Sequence, residues 1–278
     1  MIVRESPAKV NLYLKVLRKR EDGYHDIASL MQRISLCDEM CFVQRDNGIT
    51  LRCPGSSLPE DETNIVYRAV RSFFAALSNP AGVEITIRKK IPIAAGLGGG
   101  SSNAATALVT LNEMLGSPLG VDGLMRIGAS VGADVPFFIY GKTAWAFGIG
   151  EELRPADPLP PLWYVLVNPG FEVSTRMVYE NLKMGLTNVP IQYSMPRFLT
   201  LFDVIHGLYN ELEDVSVRHY PVISELKNLL IAHGALGALM TGSGPTVFGI
   251  FEREEDAVKT EQELIRSGIG TVFRAHSL

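Results

Sequence analysis

The chain has 278 residues, 46% of them apolar and 20% charged, with a net charge of −4. That is enough apolar sequence for one large core or two medium ones, and no apolar run is long enough to span a bilayer. The mild acidity argues against a nucleic-acid binder, which presents a basic face, and leaves any anionic ligand to local cations and backbone amides. The three scattered cysteines, Cys37, Cys41 and Cys53, offer neither metal spacing nor an even disulfide set, which points to a reducing, cytoplasmic compartment. Lys9 and Asn11 fall within the first apolar stretch, so the N-terminus does not read as a signal peptide.

In chain order, SPAKVNLYLKV reads as a strand interrupted by Lys9, and DGYH as a turn. Residues 83–88 alternate apolar and polar as a half-buried strand does. A glycine-rich loop follows, and from Ser102 a helical stripe runs through Ala105, Leu108, Leu111 and Met114, with Ser102 as its cap and Gly116 as its stop. Asp122 is placed to cap a second helix ending near Gly132. Asp134 then precedes an apolar run, 135–140, expected to be a strand. The proline-rich string 151–162 is the best boundary, giving domains 1–160 and 161–278. Beyond it come WYVLVNPG as a strand followed by a turn, a short helix in STRMVYENL, a helix through 197–213 and a helix from Pro221 to His233 ended by Gly234. Two strands follow around the tight loop TGSGP, then a charged helix at 254–267 and a last strand in TVFRAHS. Strands alternate with helices in both halves, so the class is mixed α/β.

The loop PIAAGLGGGSSN carries four glycines at 96, 98, 99 and 100. It is not a Walker P-loop, since no lysine precedes Ser101, and its glycines do not fit the dinucleotide spacing. Its physics is still that of a phosphate cradle. Glycines let amide N–H groups approach a ligand without Cβ interference, and a helix start adds unpaired amides and partial positive charge. The competing reading, a glycine turn with a serine cap, accounts for one or two glycines and not for four.

This loop resembles the nucleotide-binding motif of the GHMP kinases. SPAKVNLYLKVLRKREDGYHDI and MTGSGPTVFGIF resemble that superfamily's first and third motifs, in the same order and spread over nearly the whole chain. Together with GADVPFF, they are most similar to the branch that phosphorylates diphosphocytidyl-methylerythritol in the non-mevalonate route to isoprenoids. The resemblance implies an α+β fold of two domains, the first with a left-handed βαβ unit and the second ferredoxin-like, with the active site in the cleft between them. It implies ATP and Mg2+ as cofactors, small-molecule partners, no nucleic acid or membrane partner, and a monomer or homodimer.

On this resemblance, Pro92, Ile93, Ala94, Ala95, Gly96 and Leu97 open the ATP site. Gly98, Gly99, Gly100, Ser101, Ser102 and Asn103 complete it, with Asn64, Lys89 and Lys90 toward the adenine. Asp134 is the expected catalytic carboxylate; otherwise it would be a capping or turn aspartate. Lys9 is the expected catalytic cation, paired with Asp134; otherwise it would lie on the solvated face of an edge strand. Asn11 is expected at the acceptor, Tyr24, His25 and Tyr179 around the cytosine, and Thr175 near the nucleotide part of the substrate. Tyr179 stands where the family has phenylalanine, and Arg176 where it has proline. Gly242, Ser243 and Gly244 form a supporting loop. No carboxylate cluster of metal-ligand type is visible, which leaves Mg2+ to phosphates, water and Ser102. The alternatives are a homoserine or mevalonate-type kinase, which needs no aromatic set for a base, and a nucleotide-binding regulator, which needs neither Lys9 nor Asp134.

Overall fold

The structure, a computed structural model, describes residues 1–77, 81–182 and 193–278. Two long strands come first, β1 (Ile2–Lys19) and β2 (His25–Arg45), joined by a turn in which Gly23 takes φ +86°. In chain order there follow β3 (Ile49–Arg52), α1 (Ile65–Leu77), β4 (Gly82–Arg88), α2 (Gly99–Met114), α3 (Val121–Val131), α4 (Val135–Tyr140), β5 (Ala144–Phe147), β6 (Glu152–Pro155) and β7 (Trp163–Asn168). The remainder comprises α5 (Thr175–Glu180), α6 (Leu201–Gly207), β8 (Tyr209–Asn210), α7 (Glu213–His219), α8 (Val222–Ala232), β9 (Gly237–Met240), β10 (Val247–Phe251), α9 (Glu254–Ser267) and β11 (Thr271–His276). The chain forms two compact units, and β1 and β2 contribute residues to both.

The first unit holds residues 1–8, 37–92 and 98–142. Here β4 runs between β2, antiparallel to it, and β3, parallel to it. Ile85 and Ile87 of β4 alternate inward, and helix α1 buries Val66, Ala69, Val70 and Phe73, a spacing of one helical face. Helix α1 packs on α2, and α4 packs on both α2 and α3.

The second unit holds residues 9–36, 93–97 and 143–278. Strands β7, β9, β10 and β11 form an antiparallel sheet in the order β11-β7-β10-β9. With helices after β7 and after β10, this is the ferredoxin-like arrangement. Its core joins Val165, Val167 and Val247 from the sheet to Leu226, Leu230 and Leu264 from the helices and to Leu14, Val16 and Ile27 from the first two strands. Residues 9–36 are thereby built into the same apolar core as the ferredoxin-like sheet.

The structure corrects several local expectations. Residues 135–140 are helix α4, not a strand. Pro136 sits in its first turn, where a fixed φ and a missing N–H cost nothing, and Gly141 ends it at φ +74°. A six-residue apolar run does not distinguish the two by pattern. Residues 197–213 do not form one helix. A reciprocal capping box between Thr200 and Asp203 starts α6, which ends at Gly207, and Tyr209 and Asn210 then form β8. Ser102 is not a cap: α2 begins three residues earlier after Gly98, and Ser102 is fully buried. Asp122 lies in the first turn of α3, with Gly120 at the cap. Within 151–162, residues 152–155 form β6, which pairs with β5.

Candidate active site

Three segments distant in sequence meet around Asn11 in the second unit. Lys9, only 4% exposed, donates from Nζ to Asn11 Oδ1, so it is not a lysine on a solvated strand face. Asn11 Nδ2 donates to Ser29 Oγ at 2.8 Å, and the Asn11 amide donates to Thr241 Oγ1 at 3.1 Å. Thr241 Oγ1 also lies 3.2 Å from the Gly96 carbonyl oxygen, and the Lys9 amide donates to the Leu97 carbonyl at 3.0 Å. The first, glycine-loop and third motifs are thus one hydrogen-bonded assembly.

Glycine is obligatory at its centre. Gly96 has φ +77°, and a Cβ there would stand 2.1 Å from the Thr241 carbonyl oxygen. A Cβ on Gly242, at φ +57°, would stand 3.1 Å from the Gly96 carbonyl oxygen. Ala94 also takes a left-handed φ, +51°, which costs an alanine about 1–3 kcal/mol. Such strain is concentrated where loops are shaped for a ligand.

In the first unit the loop runs into α2. Gly98 precedes the helix at φ +69°; no side chain caps it, and no acidic residue stands in its first turn. The first amides of α2 therefore carry the partial positive charge of a helix start with no acidic side chain in that turn to neutralise it. Gly100 and Ser101 lie toward the surface, whereas Ser102 and Asn103 are buried. Ser102 Oγ is 2.8 Å from Ser6 Oγ, a buried hydroxyl pair. Asn103 likewise turns inward, donating to Ser6 Oγ and Asp38 Oδ2, each at 2.9 Å. Lys89 pairs with Asp38 and donates to Asn103 Oδ1 at 3.2 Å. The Lys90 amide donates to Asp38 Oδ1 at 2.8 Å. Asn64 is buried as well, its Oδ1 accepting from the Val66 amide at 2.9 Å to cap α1.

His25 and Tyr179 form an aromatic pair in the second unit, ring centroids 5.1 Å apart and tilted by 30°. Burial and the nearby Lys19 charge hold the His25 imidazolium below its ordinary pKa, which favours the neutral ring with one donor and one acceptor nitrogen. Tyr24 beside it is 60% exposed, its amide fixed by Asp22 Oδ1 at 3.0 Å. Thr175 Oγ1 and Ser243 Oγ are 2.8 Å apart, tying α5 to the third motif. Arg176 points into solvent and pairs with Glu180 at 2.7 Å, apart from these groups.

Asp134 sits at the N-terminus of α4, half-buried, and its side chain makes no cap hydrogen bond. The capping role that sequence allowed is therefore not its role. Among the described residues no group of three His, Cys, Asp or Glu is arranged to hold a metal ion.

Sequence reasoning missed the residues that hold the third motif. Asn210 Nδ2 donates to the Met240 and Gly242 carbonyls at 2.7 and 2.8 Å, while its Oδ1 accepts from the Leu212 amide. Ser216 Oγ donates to the Ser243 carbonyl at 3.1 Å. The available signal was a polar residue placed among apolar ones, which folding tolerates only with its bonds satisfied.

Residues 64–142 match the family model of the GHMP kinases N terminal domain, and residues 195–270 that of the GHMP kinases C terminal. The chain belongs to the GHMP kinases. Among curated GHMP kinases, it is 55% identical to a 4-diphosphocytidyl-2-C-methyl-D-erythritol kinase from Syntrophus aciditrophicus (strain SB), over 98% of each chain. It is 49% identical to the enzyme of that name from Geobacter metallireducens (strain ATCC 53774 / DSM 7210 / GS-15), over 99% of this chain and 98% of the other. A crystal structure of a 4-(cytidine 5'-diphospho)-2C-methyl-D-erythritol kinase superposes with a TM-score of 0.83 at 34% identity, covering 99% of both chains. The two-domain α/β fold of this family is therefore the fold of this chain, and ATP is its phosphoryl donor. No helix among the described residues is long and apolar enough to cross a membrane.

Proposed function

We infer that the chain transfers the γ-phosphoryl group of ATP to the 2-hydroxyl of 4-diphosphocytidyl-2-C-methyl-D-erythritol, giving the 2-phosphate and ADP in the methylerythritol phosphate pathway. The observation that carries this is 55% identity to a kinase of that name over 98% of both chains. The aromatic set of Tyr24, His25 and Tyr179 supports it, since a planar base needs such a surface and homoserine or mevalonate does not.

Each site residue has a proposed part, with Ser102 and Asn103 bracing the start of α2 from within through Ser6. The uncapped start of α2, from Gly98 to Ser101, holds the ATP phosphates through backbone amides. Pro92 to Leu97 shape the approach to it. Asn64 and the Lys89–Lys90 segment stand toward the adenine, through whatever atoms their buried bonds leave free. The cytosine lies against Tyr24 and Tyr179, and the neutral His25 ring offers the donor and acceptor that read its polar edge. Asn11 and Thr175 orient the acceptor, and the loop of Gly242, Ser243 and Gly244 supports both.

In the chemical step the acceptor oxygen forms a bond to the γ-phosphorus as the bond to the β-phosphate oxygen breaks. The hydroxyl proton passes to the Asp134 carboxylate, and the Lys9 ammonium offsets negative charge at the acceptor. Because the transition state is loose, alignment and charge neutralisation dominate over nucleophile activation. Mg2+ arrives on the ATP phosphates, whose charge it offsets; with no carboxylate cage among the described residues, no step is assigned to a protein-held ion.

The division into residues 1–160 and 161–278 is proposed as the boundary between the two family regions, whose matches fall one on each side of it; the compact units do not follow it, since residues 9–36, 93–97 and 143–160 belong to the second. A cytoplasmic setting is proposed on the three free cysteines, and the enzyme is taken to work as a monomer or homodimer without nucleic-acid or membrane partners. The test is direct. Incubation with Mg-ATP and the cytidylyl acceptor should yield a new phosphomonoester resonance and an equal amount of ADP; ATP consumption without that ester would overturn the assignment.

A further inference from the structure

The most concentrated buried charge in the first unit lies behind the phosphate loop rather than in it. Asp38 is only 1% exposed, yet both carboxylate oxygens are fully engaged. Oδ1 accepts from the Lys90 and Ile91 amides at 2.8 and 2.9 Å. Oδ2 accepts from Asn103 Nδ2 at 2.9 Å and pairs with Lys89 Nζ. Asn103 continues to Ser6 Oγ, and Ser6 to Ser102 Oγ. One carboxylate thus fastens the segment leaving β4 to the first turns of α2, with β1 completing the cluster.

We propose that Asp38 is a positioning residue for ATP: it fixes the first turn of α2 against residues 89–91 and so sets where the phosphate-binding amides point. The inference rests on the reading that the start of α2 holds the ATP phosphates. Buried ion pairs are often no more stabilising than apolar residues of similar volume. Their advantage is geometric: each donor accepts one arrangement only, and an unmatched one is costly. An apolar cluster would let α2 slide or rotate by fractions of an ångström, and small displacements of reacting groups cost rate and affinity steeply. Asp38 is too buried to touch a ligand itself, so its effect passes through α2 and Lys89.

The test compares the full chain with Asp38→Asn and with the exchange Asp38→Asn/Asn103→Asp. In the single variant, the new side-chain NH2 faces the Asn103 NH2 and the Lys89 ammonium. In the exchange, the amide now at position 38 donates to the carboxylate now at position 103. That carboxylate keeps Lys89 as a donor, as the Asn103 amide oxygen does in the wild type, and now accepts from the Ser6 hydroxyl, which in the wild type accepts from Asn103, so the clash of like donors between positions 38 and 103 is removed. Asp38→Asn should raise the KM for ATP about tenfold or more and leave the KM for the cytidylyl acceptor within about twofold, with the exchange recovering most of the loss. A lower melting temperature with both KM values unchanged would show a purely structural carboxylate and overturn the proposal, as would an exchange variant no better than the single one. Should Asp38→Asn not fold, Ser6→Ala removes one hydroxyl at the far side of the cluster. It should raise the KM for ATP about threefold, and an unchanged value there overturns the proposal as well. Gly100→Asp separates the premise from the inference. If it leaves ATP binding intact, the loop reading fails and Asp38 loses its role with it. If it abolishes ATP binding while Asp38→Asn does not weaken it, the positioning role alone fails.

Discussion

Gly96 and Thr241 approach so closely that no side chain fits between them. A Cβ on Gly96 would stand 2.1 Å from the Thr241 carbonyl oxygen, while Thr241 Oγ1 bonds the Gly96 carbonyl oxygen at 3.2 Å. The contact welds the glycine loop to the third motif. Gly96→Ala should therefore destabilise the chain by about 3 kcal/mol or more, combining left-handed strain with a backbone clash. Thermal melting tests this; an unchanged midpoint would mean that the two loops part at little cost.

Gly100 offers the opposite case. It lies exposed in the first turn of α2 at helical φ, and a Cβ there meets only Ile65 at 3.6 Å. Gly100→Asp should hold or raise the melting temperature, because an acidic residue in a first turn gains about 0.3–1 kcal/mol from the helix dipole. The same charge should repel ATP phosphates and abolish nucleotide binding. Calorimetric titration with ATP decides the matter, since a destabilised site and a repelled ligand are separated by the melt.

Lys9→Ala and Asp134→Asn should each keep ATP binding and lose most turnover, on the order of 10²–10⁴-fold for the carboxylate. The measurement is kcat alongside ATP affinity. Wild-type kcat in either variant removes that residue from the mechanism.

Tyr24→Ala should weaken the cytidylyl acceptor by about 1–3 kcal/mol, the worth of a stacked base, with ATP affinity unchanged. Tyr24 is 60% exposed, so the substitution leaves the core intact. Unaltered acceptor affinity would end the stacking assignment.

His25 makes stability depend on pH in a definite direction. Burial and Lys19 lower its folded pKa below the ordinary 6.5, so the unfolded chain takes up the proton first. The contribution of His25 is complete above pH 6.5 and is lost as pH falls through the lowered folded value. Wild type should thus lose more melting temperature than His25→Gln between neutral and mildly acidic pH; parallel losses would show that His25 does not titrate in this way.

The family and its fold were legible in the sequence because the lysine-bearing first strand, the glycine loop and TGSGP break local patterns in the order of the family's motifs. The charged helix at 254–267 formed with the boundaries its amphipathic pattern gave, and the strand read within WYVLVNPG is Trp163–Asn168. Residues 135–140 did not, because six apolar residues suit a buried strand and a buried helix equally, and only packing on α2 and α3 decides. Asp38 and Asn210 stayed invisible for a different reason. Their partners lie tens of residues away, at Asn103 and Gly242, and a polar residue alone in an apolar run does not name its acceptor.

The central claim concerns the acceptor, and a coupled ADP-release assay with Mg-ATP tests it most directly. The acceptors are diphosphocytidyl-methylerythritol, mevalonate and homoserine, each with Tyr24→Ala run in parallel. Rapid release with the cytidylyl acceptor alone, weakened in the variant through the KM of that acceptor, is the predicted result. Release with mevalonate or homoserine instead, or with none of the three while ATP still binds, would contradict it.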